Sequence, residues 1–442
     1  MQIVLLAAGQ GTRLQSLGTI KPLITVLGLP LLERNLLQVL SLSPSEIIVV
    51  TGHEHHALEQ WLIDWQKNWP KTDPLPPIRC IYNEYWNRYD NGYSLKAAAP
   101  SIQHPFLLLM ADHIYSQELL HALCAQPLEK GQAWLAVDKR LHRKEIDSAD
   151  ATKVCLDATG NITALNKNLR QYQGIDCGAF YCHPDIAHHS LTLSPEQSNS
   201  LSQIMMSLPS DKRLTAFLHE YYWQDVDTPH DRKNAEQKLL AHASHKDNDG
   251  PVARWLNRPL STRITPLFIR WGWSPNQISL AAFALGLLAA ICLAQPNYYW
   301  LVLGGVLTQL ASIVDGCDGE VARTQYRGTE YGGWLDALLD RYADIALLAA
   351  LTWHVMHTHG QIWMWLGITA IAGSFISSYS AHKADRLPRF KPLRIGRDLR
   401  CFIIFLTAII AQPLWGLWLI SLMMNLTVLY RIYLLHPKPS KQ

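Results

Sequence analysis

Beyond residue 277 the chain consists of long apolar runs with its charges gathered into short clusters between them, and no other feature constrains the fold as strongly. Six runs, at 277–294, 298–314, 333–353, 362–380, 400–412 and 414–430, approach the ~20 residues a helix needs to cross a hydrocarbon core; the fifth is the shortest. The loops AQPNYY, HVMHTHGQ and QPL carry no lysine or arginine. The alternate side holds Arg323, Arg327, the cluster HKADRLPRFKPLRIGRDLR, and Arg431, Lys438 and Lys441. This asymmetry predicts an all-α, multi-pass domain of the cell (inner) membrane, embedded in the lipid bilayer with both termini cytosolic. Six core helices of a soluble domain are the alternative. Just ahead of the first run, PVARWLNRPLSTRITPLFIRWGW mixes Arg and Trp with Leu and Ile, as an interfacial amphipathic helix does; a plain surface helix is the other reading.

The preceding residues look different. Apolar strand-like stretches at 2–6, 46–51, 79–81, 106–110, 133–138, 153–156, 162–165 and 177–181 alternate with helical patterns at 31–42, 55–65, 94–99, 117–125 and 231–242. That alternation predicts a Rossmann-like α/β domain with a mostly parallel sheet. A 442-residue chain with 17% charged and 48% hydrophobic residues therefore reads as a chimera: a cytosolic domain over 1–240, a polar linker at 241–254 and a membrane domain over 255–435. MQIVLLAAG has no basic n-region, so no secretory signal is expected at the start and the first domain should stay in the cytosol. The net charge of +3 gives no case for nucleic-acid binding. The eight cysteines form no CxxC pair and no metal-ligand spacing, so reduced thiols are expected.

The segment DGCDGEVARTQYRGTEYGGWLDALLD, 315–340, sets carboxylates beside apolar runs. Asp315 and Asp318 are three residues apart near the end of the second run, and Asp336 and Asp340 four apart in the third. Helical spacing puts each pair on one face, so the four can converge. Isolated carboxylates there would be costly, and hard oxygen ligands suit Mg²⁺ or Mn²⁺. Gly319 and Gly332 leave room for a ligand against the helices, and Arg323 offers a fork of donors to a phosphate. The pattern D-x2-D-G-x2-A-R-x8-G-x3-D-x3-D, with Ala322 beside Arg323, resembles the signature of the CDP-alcohol phosphotransferases, over about 255–435. The resemblance implies that Asp315, Asp318, Asp336 and Asp340 hold a metal pair gripping a CDP-alcohol diphosphate, with Asp340 as the base for the acceptor hydroxyl. It also implies nucleotide contacts at Gly319, Ala322, Arg323 and Gly332, and a homodimer through the membrane half. The basic loop with Arg386, Arg389, Lys391, Arg394, Arg397 and Arg400 is a candidate for a phosphorylated acceptor. Topology and contact with anionic lipid explain the same charges.

At the other end, the first strand runs into LAAGQGTRL and then KPL. A glycine-rich turn between strand and helix presents backbone N–H groups to phosphates. Leu6, Ala7, Ala8, Gly9 and Gly11 together with Arg13 and Lys21 resemble the nucleotidyltransferases that join an NTP to a sugar or alcohol phosphate, over most of 1–235. The resemblance implies that Arg13 and Lys21 neutralise the triphosphate. It implies that Asp112, ending FLLLMADHIY, and Asp225 or Asp227, in YYWQDVDTPHD, bind metal. A helix N-cap is the structural alternative for Asp112. NEYWNRYDNGYSL and DATKV resemble acceptor-pocket elements of cytidylyltransferases, with Asn91, Gly92 and Ser94 near nucleotide or acceptor and Lys153 at the acceptor phosphate. His113 is expected to be a structural neighbour.

The whole chain resembles the bifunctional fusions of an inositol-phosphate cytidylyltransferase with a di-inositol-phosphate phosphate synthase. The implied partners are CTP, an alcohol phosphate (inositol 1-phosphate the first choice) and the CDP-alcohol intermediate, whose phospho-alcohol passes to an acceptor hydroxyl with release of CMP. The low charge runs against the hyperthermophile trend. Phosphocholine or aminoethylphosphonate with a lipid acceptor such as diacylglycerol is therefore an alternative, as is one inactive half serving as a tether.

Overall fold

The computed structural model describes residues 1–14, 16, 18, 20–70, 74–141, 151–209, 212–245, 249–384 and 396–435. They fall into two units, Met1–Gln237 and Lys238–Gln442. The strands of the first are β1 Gln2–Ala7, the short β2 Thr25–Val26 and β3 Leu29–Pro30, β4 Glu46–Thr51, β5 Ile78–Tyr82, β6 Phe106–Met110 and β7 His113–Tyr115. They continue with β8 Gln132–Asp138, β9 Lys153–Leu156, β10 Ile162–Asn166, β11 Gly174–Cys182, β12 Arg213–His219 and β13 Trp223–Asp225. The helices are α1 Leu31–Leu40, α2 His55–Lys67, α3 Asn91–Ala98, α4 Gln117–Cys124, α5 Pro184–Thr192 and α6 Leu201–Met206, followed by α7 Pro229–Ser244, whose last residues from Lys238 onward belong to the second unit.

β1 is apolar throughout because it is buried on both faces, between β4 and β6, with which it runs parallel. Its side chains alternate across the sheet. Val4 and Leu6, with Ile48, Val50 and Leu108, pack on Leu95 and Ala98 of α3 and on Ile186 and Ile204 of α5 and α6. Ile3 and Leu5, with Ile47, Val49 and Leu109, pack on Leu36 of α1, Leu58 of α2 and Leu119 of α4. Each such side chain is worth about 1.5–3 kcal/mol when fully buried, so the sheet is anchored from two cores.

The sheet is mixed, which corrects the mostly parallel expectation. β4–β5, β1–β4, β1–β6 and β8–β12 are parallel, whereas β6–β11, β8–β11, β9–β11 and β9–β10 are antiparallel. The cause is the connections. A parallel crossover needs a long, usually helical link, and none of the sequence-expected helices falls between β8 and β11. β9 and β10 are joined by a tight turn in which Asp157 Oδ1 accepts from the backbone N–H groups of Thr159 and Asn161 at 2.8 and 2.9 Å. Only a hairpin can follow. The parallel half ends its strands β1, β4 and β6 on one side, and the loops leaving them carry the candidate site.

The second unit is helical. A π-helical turn, Ala253–Asn257, leads into α8 Arg258–Arg270, α9 Pro275–Leu293, α10 Tyr298–Thr324, α11 Glu330–His359, α12 Met364–Ala384, α13 Arg397–Ile409 and α14 Pro413–Leu435. α9 begins with a capping box in which Ser274 and Gln277 satisfy each other's backbone N–H groups. α10 packs on α8, α9 and α13, α11 on α9 and α12, and α12 on α14. Among the described residues four helical segments are long and apolar enough to cross a membrane: α9, α10, Gln361–Ala381 and α14. α11 has the length but carries Asp336, Asp340, Arg341 and Asp344 in its first half. α13 spans 13 residues, about 20 Å, against a hydrocarbon core of about 30 Å. All eight cysteines are free thiols.

Candidate functional site

Two carboxylate centres emerge, one in each unit. In the first, β1 ends in Ala7 and the chain turns through Gly9 and Gly11. Gly11 has φ +63°, and a β-carbon there would lie 2.6 Å from Lys21 Cβ. Glycine is thus required twice at this position, for its backbone and for the lysine stem beneath it. Lys21 Nζ donates to Asp112 Oδ2 at 2.5 Å and also to Asp227 Oδ1. Arg13, mostly exposed, brings Nη1 to 4.0 Å from Asp227 Oδ2. Burial alone would lower the Lys21 ammonium, but the two carboxylates outweigh it and hold it above the usual lysine range. Burial likewise would raise Asp112, and Lys21 and His113 overcome that to hold it well below the carboxylate range.

The pairing of β7 with β13 explains how residues 112 and 227 meet. Asp225 sits opposite His113 in that antiparallel pair, and Val226 N donates to Asp112 O at 3.1 Å. Asp227 follows at the strand's end and reaches the same ammonium as Asp112. Asp225 does not share it. Burial raises Asp225, with Asp227, Asp231 and Asp112 adding to the rise and His113 opposing it. His113 is more than a neighbour in sequence: its Nδ1 lies 2.7 Å from Asp112 Oδ1, and its ring stacks on Trp223. The two carboxylates supply hard oxygens of the kind a divalent ion takes, and the Lys21 ammonium occupies them here.

A cleft of about 1060 Å³ opens beside this centre, lined by Asn91, Asp112, His113, Asp225 and Asp227 among others. The remaining expected residues divide. Asn91 lines the cleft, yet its Oδ1 accepts from Leu201 N at 2.9 Å and so holds the start of α6. Gly92 is pressed against the backbone of 198–200, where a β-carbon would lie 2.3 Å from Ser198 O. Ser94 is buried and accepts from Asn83 Nδ2 at 3.2 Å. Lys153 donates to Lys167 O at 2.8 Å and lies over the Tyr172 ring, and its neighbours Ala151 and Thr152 rather than Lys153 itself line the cleft. Leu6, Ala7 and Ala8 are buried, and a β-carbon on Gly9 would meet open space.

In the second unit, α10 contributes Asp315 and Asp318, and α11 contributes Asp336 and Asp340. Asp315, Asp336 and Asp340 each turn one oxygen inward so that all three lie within 4.8 Å of one another. Oxygens facing across an octahedral ion with ligand distances of about 2.1 Å stand roughly 4.2 Å apart, so this donor set also fits. Asp318 is held apart from the trio: Ser279 Oγ on α9 donates to its Oδ2. Arg397, at the start of α13, points Nη1 at Asp315 Oδ1, 2.9 Å, and at Asp340 Oδ1. Its Nε lies 3.6 Å from Asp344, which Arg400 Nη2 also meets at 2.5 Å. Arg386, Arg389 and Arg394, with Lys391, lie outside the described residues.

Arg323 donates from Nε to Ala243 O at 2.5 Å, and its guanidinium lies over Gly319, where a β-carbon would stand 2.9 Å from Nη1. Ala322 is half-buried in the last turn of α10. Gly332 lets α11 approach α9: a β-carbon would come within 2.9 Å of Asn276 Oδ1. Sequence reasoning missed Asp344, one helical turn past Asp340 and legible as such. It missed Glu320, fully buried and accepting from Ser261 Oγ at 2.5 Å and Thr265 Oγ1 at 2.6 Å. It also missed Asp176, an acid flanked by glycines in an apolar strand.

Comparison with known proteins matches both halves. Residues 3–291 match the MobA-like NTP transferase domain, and residues 273–432 the CDP-alcohol phosphatidyltransferase family. A protein of Aquifex aeolicus named "Bifunctional IPC transferase and DIPP synthase" is 32% identical over 98% of this chain and 98% of its own length. A protein of the same name from Rubrobacter xylanophilus is 35% identical over 92% of this chain and 90% of its own. Among solved structures, the inositol-1-phosphate CTP transferase from T. maritima aligns with a TM-score of 0.45 at 20% identity, covering 52% of this chain and 90% of that one.

Proposed function

Because this chain belongs to the bifunctional family that joins an NTP transferase domain to a CDP-alcohol phosphatidyltransferase domain, we propose that it makes a CDP-alcohol and then consumes it. The first unit activates an alcohol phosphate, with inositol 1-phosphate the best candidate, by joining it to CMP from CTP with loss of pyrophosphate. The second transfers the phospho-alcohol to an acceptor hydroxyl and releases CMP. The observation that carries this reading is the meeting of Asp315, Asp336 and Asp340 from two neighbouring helices in a chain related over nearly its whole length to bifunctional enzymes.

In the first reaction Lys21 and Arg13 neutralise the triphosphate while the 9–11 turn offers backbone N–H groups to it. Asp112 and Asp227 would hold Mg²⁺ or Mn²⁺; Asp315, Asp318, Asp336 and Asp340 would do so in the second, after Asp318 leaves Ser279. In both centres the ion, when bound, supplies charge neutralisation for the phosphates. Asp340 takes the proton of the incoming hydroxyl, and Arg397, with Arg386, Arg389 and Arg394, holds an anionic acceptor. The domain limits are 1–240 and 255–435, and six membrane passes with cytosolic termini, the fifth in α13, complete the reading, together with a homodimer. Placing both reactions in one chain raises the local concentration of the intermediate.

A paired substitution tests the proposal. Asp112→Ala should abolish pyrophosphate release from CTP and alcohol phosphate yet spare transfer from supplied CDP-alcohol, and Asp336→Ala should do the reverse. Either variant retaining its own reaction removes that centre from the assignment.

A further inference from the structure

β11 is irregular where it passes the first centre. Between its pairs Asp176↔Val137 and Phe180↔Leu135, four steps along β11 face two along β8. Such a bulge re-aims side chains. Gly178, at φ +69°, sits at its heart, and a β-carbon there would lie 2.8 Å from Met110 Cγ and 3.3 Å from His113 Nε2. The strand is therefore pressed against the Asp112–His113 corner, and Asp176 enters the lining of the same cleft. Its Oδ1 accepts from Gly178 N at 2.7 Å, and among the described residues its Oδ2 has no protein donor. A half-buried carboxylate with only the His113 ring as a cationic neighbour has a lone-pair face to fill.

The surrounding chemistry narrows what fills it. Among the described residues the lining carries five carboxylates, Asp90, Asp112, Asp176, Asp225 and Asp227, against a single lysine, Lys167. A wall rich in acceptors suits a ligand rich in donors. Two kinds of alcohol phosphate meet that description, a polyol and a cationic amino alcohol. A quaternary ammonium is best held against open aromatic faces, and the described lining residues offer none. Phe180 is 1% exposed, and Trp223 is 2% exposed with its ring stacked on His113. The lining supplies Asn166, Asn168 and Gln203 instead, which donate and accept.

We propose that Asp176 is a specificity-determining residue of the nucleotidyl-transfer reaction, its free carboxylate oxygen accepting hydroxyl hydrogen bonds from the carbon skeleton of a polyhydroxylated alcohol phosphate. The proposal rests on the cytidylyl-transfer reading of the first unit. A site built to bond a hydroxyl rejects analogues lacking it, because the buried acceptor is then left unpaired. The volume of about 1060 Å³ exceeds the common range of roughly 300–1,000 Å³ for a single ligand, so nucleotide and polyol phosphate fit together.

The test uses the full-length protein in detergent with CTP and Mg²⁺, reading pyrophosphate release with inositol 1-phosphate, phosphocholine or phosphoethanolamine. Wild type should turn over inositol 1-phosphate with a kcat/KM at least about tenfold above the other two. Asp176→Ala should raise KM for inositol 1-phosphate by roughly 10- to 100-fold, with KM for CTP and kcat changed less than about threefold. Asp176→Asn, which keeps an acceptor of the same shape, should lose less. Unchanged transfer from supplied CDP-alcohol shows that the variants are folded. An unaltered KM for the polyol phosphate, an equal loss of CTP affinity, or a wild-type preference for either amino alcohol overturns the inference while leaving nucleotidyl transfer standing. A wild type that releases no pyrophosphate with any of the three overturns the inference together with the reading beneath it.

Discussion

Lys21 and Asp112 stand 91 residues apart in sequence and 2.5 Å apart at Nζ and Oδ2, and the same ammonium reaches Asp227. Two strands and a 3₁₀ turn thus converge on one cation. Removing it leaves two carboxylates facing each other and the triphosphate without its buried counter-charge. Lys21→Ala should lower kcat/KM for CTP by about 100-fold or more, measured as pyrophosphate release, with transfer from supplied CDP-alcohol unaltered.

Asp225 and Asp227 are two residues apart and differently placed. Asp227 shares Lys21 with Asp112, whereas Asp225 faces His113. Asp227→Asn should therefore cost about 100-fold in nucleotidyl transfer and shift the Mg²⁺ dependence to higher concentration, and Asp225→Asn less than about tenfold. Magnesium titrations of the two variants side by side decide the matter.

Arg397 meets Asp315, Asp340 and Asp344. Its loss leaves the half-buried Asp315 and Asp340 without this cation, while Asp344 keeps Arg400, a change that costs about 1–3 kcal/mol. Arg397→Ala should lower the thermal midpoint of the detergent-solubilised protein and abolish transfer, whereas Arg397→Lys should keep the midpoint and lose transfer at least about tenfold, since one ammonium cannot span the same oxygens.

Asp138 lies at the end of β8, fully buried, paired with Arg140 and accepting from Trp223 Nε1 at 2.9 Å. Burial would raise its carboxyl, but the Arg140 hydrogen bonds and Trp223 bring it down to about 2. A carboxyl lower in the folded than in the unfolded chain adds stability above about pH 4, and that contribution is lost as pH falls towards 2. With Arg140 about one-third exposed, the contribution is roughly 1–2 kcal/mol. The protection factors of β8 and β13 amides, corrected for intrinsic exchange, should fall between pH 4 and 2 in the wild type and be already lower at pH 7 in Asp138→Asn.

What the sequence disclosed follows from period and spacing. β1, β4 and β6 were legible because doubly buried strands are apolar at every position, and the acidic signature because it sits beside long apolar runs. The antiparallel half was not: β9, β10 and β11 are stretches that include the polar Lys153, Asn166 and Asp176, and the turn at Asp157 is the local signal of their pairing. Asp225 and Asp227 stayed ambiguous because the choice depends on a two-stranded pairing with β7, distant in the chain. Ser94 and Gly92 resembled ligand contacts, yet their partners are Asn83 and the 198–200 backbone; small residues serve close packing as readily as binding. Asp176 was invisible because a bulge, which no periodicity reports, turns it inward.

The hydroxyl of Ser279 carries a last implication. It belongs to α9, outside the stretch that bears the acidic signature, and it donates to Asp318. Grafting 315–340 onto a foreign pair of helices would transplant every letter of the signature yet leave behind the Ser279 hydroxyl of α9 and the Arg397 guanidinium of α13, so a portable version of this centre needs four helices.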